Sequence, residues 1–163
     1  MSGMKQPEWS KRRGVRENAR RELTALAASY IAYVRGELAK DPPPPQLHAL
    51  RLATKRLRYT LELFRACYDK GLEERLDVLR KVQQQLGDTN DCVASWELLS
   101  HVMRPSVLRS RMERFLRRRA RKQAAEFRAL WQELFEAPGR DEWFTGFLKL
   151  PLPDAHAAAR RQK

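Results

Sequence analysis

His48-Ala-Leu-Arg51-Leu-Ala-Thr-Lys55-Arg56-Leu-Arg58-Tyr59-Thr-Leu-Glu62 contains no glycine, no proline and no alternation of apolar with polar residues. Its apolar residues recur with helical spacing, so the stretch reads as an amphipathic helix. At about 100° per residue, Leu50, Leu57, Leu61 and then Phe64 share one face. His48, Arg51, Lys55, Arg58, Tyr59 and Glu62 fall within an arc of about 100° roughly opposite. A surface helix usually interleaves both charge signs, but this one has no acid before Glu62. A row of cations rising about 1.5 Å per residue can follow a chain of phosphates, each finding a donor along the helix axis. His48 and Tyr59 add hydrogen-bonding groups on the same arc. Glu62 cannot hold an anion itself and is expected to orient a neighbouring cation.

The same period runs outward in both directions. Upstream, from about Arg12 to Ala39, Leu23, Leu26, Ala27, Tyr30, Ile31, Val34 and Leu38 form an apolar stripe. Asp41 and the run Pro42 to Pro45 end it, and the four prolines predict a short, extended connector. The quoted helix itself is expected to span about Gln46 to Tyr68, stopping near Gly71. Leu72, Leu76, Leu79, Val82 and Leu86 define a third helix. Gly87-Asp88-Thr89 interrupts it, and Gly87 reads as a break, a kink or a point of close approach. Val93, Trp96, Leu99 and Met103 resume the period until Pro105. A fourth helix, about Ser106 to Glu136, carries Leu108, Met112, Phe115, Leu116, Phe127, Leu130, Trp131 and Leu134. The expectation is an all-α four-helix bundle of long antiparallel helices over residues 12–137. A flexible segment (1–11) precedes it. A short apolar segment (138–150) and a basic tail (151–163) follow. Trp143, Phe144 and Phe147 in that segment can pack within the monomer or serve an interface between chains.

Composition narrows the function. Of 163 residues, 33 are Lys or Arg and 20 Asp or Glu, a formal net charge of +13. That excess favours an anionic partner. Most of it is arginine, which grips phosphate oxygens bidentately. Cys67 and Cys92 form no CxxC pair and fit a reducing compartment. No apolar run approaches a membrane span, and residues 1–13 lack a hydrophobic signal core. A cytoplasmic protein with no membrane partner is therefore expected. His48, His101 and His156 lack ligand spacing, so no metal and no cofactor is expected. There is no phosphate-binding glycine loop, and Asp88, Asn90 and Asp91 are too few to hold a catalytic divalent ion. The chain reads as a binding protein, not an enzyme.

Two motifs in order carry a family resemblance. His48-x-x-Arg51-x-x-x-Lys55-Arg56-Leu57-Arg58-Tyr59-x-x-Glu62 resembles the signature of the CHAD domain, the conserved histidine α-helical domain. Leu79…Gln83-x-x-Leu86-Gly87-Asp88-x-Asn90-Asp91 resembles its second signature, and the likeness extends over about residues 15–135. The resemblance implies binding of inorganic polyphosphate by His48, Arg51, Lys55, Arg56, Arg58 and Tyr59. It also implies a role for Asp91 as a support that holds an arginine by a salt bridge, though a helix cap or a plain surface acid reads equally well there. A full-length family member resembles two such units in tandem, and this chain resembles the second alone. A homodimer restoring the two-unit arrangement, with the basic rows facing a common groove, is the resulting expectation. Association with polyphosphate granules, or an accessory role in phosphate metabolism, would follow.

Two further basic rows read either as solvated faces or as extensions of the polyanion track. Arg13, Arg16 and Arg20 form one. Arg111, Arg114, Arg118, Arg121 and Lys122 form the other. The alternative to polyphosphate is nucleic acid, which is held through the same phosphate chemistry. Helix-turn-helix spacing, zinc ligands and a base-stacking platform are all absent from the sequence.

Overall fold

A computed structural model describes Met4 and residues 6–151, and all of its regular structure is helical. Helix α1 (Val15–Asn18) runs through a π-helical turn (Ala19–Leu23) into α2 (Thr24–Leu38). Then come α3 (His48–Leu63), α4 (Gly71–Val102), α5 (Val107–Trp131) and α6 (Arg140–Leu148). A second π-helical turn, Gln132–Glu136, extends α5. The all-α bundle expected from the period is found.

The core sits where the apolar stripes of α2, α3, α4 and α5 meet. Tyr30, Leu50, Leu57, Leu61, Leu72, Leu79, Phe127 and Trp131 are buried there. Each fully buried leucine contributes about 1.5–3 kcal/mol relative to exposure. Tyr30 Oη and Thr54 Oγ1 share a buried hydrogen bond of 2.9 Å, fixing α2 against α3. Burial pushes the Tyr30 hydroxyl far above the ordinary tyrosine range, so it stays protonated.

Several details depart from the sequence reading. Gly87 does not break the helix, because α4 is continuous over 32 residues. Leu86 and Thr89 are buried on either side of it, and the cost of one helical glycine, about 1 kcal/mol, is small beside that packing. The prolines are extended only in part: Pro44–Leu47 forms a 3-10 turn that leads straight into α3, since proline is well suited to a helical first turn. Asp41 adopts a left-handed φ of 46° and closes α2. Arg128 donates to both Asp41 Oδ1 and Pro42 O at 2.8 Å and ties that turn to α5. Helix α3 stops at Leu63, before a 3-10 turn at Arg65–Cys67, rather than reaching Tyr68.

The segment after α5 packs within the monomer. Phe144 and Leu148 are buried in the core. The Arg75 guanidinium lies 3.7 Å from the Trp143 ring centre and 4.3 Å from that of Phe147. It donates to Trp143 O at 2.8 Å. Within the segment 1–11, expected to be flexible, Glu8 to Ser10 are held: the Glu8 and Ser10 amides donate to Glu22 and Asn18, and Trp9 stacks on Phe64. Apart from Pro151, the basic tail expected over 151–163 lies outside the described residues.

Beyond Leu86 and Ala124 the main core ends, and α4 and α5 continue as a two-helix arm. Its own small core is Cys92, Val93 and Ala120, with Trp96 against them.

Candidate polyanion-binding groove

Helices α3 and α4 pack side by side and leave an open groove of ≈ 470 Å³ between their outer faces. Arg51 and Arg58 line it from α3. Arg80, Gln83, Gln84, Gly87 and Asp91 line it from α4. The α4 residues recur at helical spacing, so both walls are single helix faces. Rigid elements of this kind hold side chains more exactly in place than a loop does.

The cations of the α3 row differ in how committed they are. Arg58 donates from Nε to Gln83 at 3.0 Å and from Nη1 to Glu62 at 2.6 Å, and stacks on Tyr59 at 4.3 Å. Glu62 thus orients a cation of the row, as its spacing suggested. Lys55 lies 5.5 Å from the Tyr59 ring centre and makes no ion pair among the described residues. Arg51 is half-buried, and its Nε is fully buried without a hydrogen-bond partner. A buried donor left unpaired costs about 1–3 kcal/mol, a cost that an acceptor brought to the groove would remove. A Cβ at Gly87 would sit 3.8 Å from Arg51 Nε, an ordinary contact, so alanine fits there while a longer side chain would contest the space.

His48 is exposed, and its Nδ1 lies 2.8 Å from Asn90 Oδ1. That contact joins the first residue of the α3 motif to the α4 motif. It orients the ring and leaves Nε2 toward solvent. Arg56 does not join the row. At about 100° per residue it lies some 60° beyond Tyr59, away from α4, and like His48, Lys55 and Tyr59 it does not itself line the groove. Asp91 is not a salt-bridged support. It lines the groove but is exposed, and no cation lies within ion-pair distance among the described residues. The acid that holds the arginines is Glu62, within 3.5 Å of Arg80 as well as Arg58.

Arg80 was not among the expected site residues. It reaches the groove while pairing with Asp77 at 2.6 Å, and that bond, with Glu73 and Glu62 nearby, raises its already high pKa further. Only the α3–α4 register places it there. Asn90 could have been found as a member of the second motif.

The other basic rows stand apart. Arg13 precedes α1 and is engaged by Glu22 at 3.0 Å and by Glu8 O at 3.1 Å, so it does not share a helix face with Arg20. Arg16 is half-buried and Arg20 exposed. Arg111, Arg114, Arg118, Arg121 and Lys122 are exposed along the outer side of α5, and Lys122 pairs with Glu126 at 3.7 Å. No residue of α5 lines the groove. Among the described residues, no three His, Cys, Asp or Glu side chains converge as a metal-binding group. No helix among them is long and apolar enough to cross a membrane.

The fold is an all-α bundle with a cation-lined groove between two helix faces. The CHAD domain model matches residues 3–100. The chain therefore belongs to the CHAD domain family. The matched span covers α1 to α3 and most of α4, and ends before α5. No curated protein and no solved structure matches the chain.

Proposed function

We propose that this protein binds inorganic polyphosphate, without turning it over, in the α3–α4 groove. The observation that carries the reading is the state of Arg51. Its buried Nε has no partner and it lines an open channel, with Lys55 one turn further along the same helix face. A phosphate oxygen supplies the missing acceptor and removes the cost of the unpaired donor. Arg51, Lys55 and Arg58 rise along α3 in steps of three or four residues, about 4.5–6 Å. His48 lies at the entrance of this row and Tyr59 beside it. Glu62 keeps Arg58 extended in place. The family membership fits phosphate-polymer binding in general.

The reading includes a homodimer in which two rows share one polyanion, and a cytoplasmic protein that works at polyphosphate granules or beside an enzyme of phosphate metabolism. The test is a direct titration with long-chain polyphosphate across a salt series. Binding should weaken log-linearly with salt, by about 0.7 per neutralised phosphate if the chain behaves as a single-stranded polyanion. Absence of binding at low salt, or an affinity indifferent to salt, overturns the reading.

A further inference from the structure

The arm formed by α4 and α5 past the main core has two unlike flanks. On one, Leu98 and Val102 of α4 and Leu108, Met112 and Phe115 of α5 are exposed, at 61, 67, 60, 40 and 60%. An apolar group of this size on a surface marks a contact site. Leu98 stands seven residues after Asp91, which itself stands seven after Gln84, so the flank continues the α4 face that lines the groove. On α5, Leu108, Met112 and Phe115 stand in the row of Arg119, which with Asp88 and Asp91 lines a depression on the same side of the arm. The opposite flank is basic: Arg114, Arg117 and Arg121 share it, and Arg117 lies over the Trp96 ring at 5.2 Å.

We propose that the apolar flank of this arm is the contact surface for a second copy of the chain. This deepens the homodimer in the reading above by naming its interface. Two-fold pairing sets a surface against itself, so the surface must complement itself. This flank does so. Its apolar part meets apolar side chains, and its base carries both signs, with Asp88 and Asp91 on α4 and Arg119 on α5. A copy therefore offers acids to Arg119. Two hairpins pairing through such flanks complete a four-helix arrangement over a stretch where each has only Cys92, Val93, Ala120 and Trp96 inside. The copy then lies along the same molecular face as the groove.

Charge opposes the pairing and makes it conditional. Residues 93–122 hold nine Lys or Arg against Glu97 and Glu113, a net +7. Two arms repel unless salt screens them or a polyanion neutralises them. Apolar pairing therefore strengthens with salt, whereas polyphosphate binding weakens with it, and the two are separable.

The full chain is run by sedimentation velocity at about 50 µM, a concentration at which a specific homodimer is populated. Runs are made in about 0.1 M and about 1 M NaCl, where the Debye length falls from about 10 to about 3 Å, and in low salt with long-chain polyphosphate. The expected result is twice the 19.1 kDa chain mass in high salt and with polyphosphate. The expected result for the double variant Leu108→Ser and Phe115→Ser is a dimer weakened about tenfold or more. Its helicity should be unchanged, and its polyphosphate affinity should fall only by the share that pairing contributes, with the single-chain groove still binding. Met112→Glu serves as a second variant with the same expected loss. A single-chain mass for the wild type in every condition overturns the proposal, as does undiminished pairing of both variants. So does pairing that disappears when the chain is cut after Pro151, because the C-terminal tail is then the contact. High-salt dimers with no polyphosphate binding sink the function and keep the interface. Polyphosphate binding at single-chain mass does the reverse.

Discussion

Replacing Arg51 and Lys55 together by alanine should abolish most polyphosphate affinity while leaving the bundle intact. The magnitude follows from how each cation is held. Arg51 is half-buried beside Gly87 with Nε unpaired, so a charge-assisted bond there is worth about 1.5–3 kcal/mol. Lys55 is more open to water and is credited with about 0.5–1 kcal/mol. Together they give about 2–4 kcal/mol, a loss of about 30- to 1,000-fold. Losing two cationic contacts should also flatten the log–log salt dependence by about 1.4. Stability should not fall and should rise by up to about 1–3 kcal/mol, because neither side chain makes an ion pair among the described residues and the variant removes a buried unpaired donor. Isothermal titration over a salt series reads the first two quantities, and urea denaturation reads the third. Wild-type affinity with an unchanged slope in the double variant refutes the role of the row. A matching loss of stability shows that the cations hold the fold instead.

Three other perturbations test separate parts of the structure. Gly87→Leu should lower polyphosphate affinity by about tenfold or more, since its side chain must displace Arg51. Thermal unfolding should show equal or higher stability, because leucine favours the helix by up to about 1 kcal/mol over glycine. Gly71→Ala should destabilise by about 1–3 kcal/mol in urea: the new Cβ lies 2.6 Å from Phe147 Cε2, and that ring is held between Arg75 and Tyr68. Glu136 has a lowered pKa, chiefly because Arg35 donates to it at 2.8 Å. A lowered folded pKa means stability that is present above the ordinary glutamate value of about 4.3 and lost as pH falls through the folded value. Glu136→Gln should therefore be less stable than wild type at neutral pH and should lose less on acidification. Parallel urea midpoints against pH in the two proteins contradict this.

The helices were legible because burial imposes a 3.6-residue period on the sequence, and Leu23 to Leu38 or Leu72 to Leu86 display it without interruption. At Gly87 the break is not found, because glycine's cost in a helix is local, whereas the buried neighbours Leu86 and Thr89 act through tertiary packing that the sequence does not display; the neighbour that comes close there is Arg51. The extent of the arm was hidden as well. Leu108 and Phe115 read with the apolar residues of the fourth helix, but they lie about 100–120° round it from the buried Phe127 and are exposed.

Within the site, the α3 row was legible because its members share one helix and their angles follow from spacing alone. Arg56 was drawn in by the motif but faces elsewhere by the same arithmetic. What the sequence could not display was pairing across helices. Asn90, rather than the adjacent Asp91, reaches His48, and Arg80 enters the groove from a different helix. Those facts depend on the register of α4 against α3, which small shifts in packing decide.

The most direct test is a competition titration. The protein is bound to long-chain polyphosphate at about 0.15 M salt, near physiological ionic strength, and challenged with double-stranded DNA and with RNA at equal phosphate concentration. A groove one helix face wide on each side should keep the slim phosphate chain, so nucleic acid should displace it poorly. Equal or better displacement by DNA or RNA contradicts polyphosphate recognition and makes the row a general cationic surface for nucleic acid.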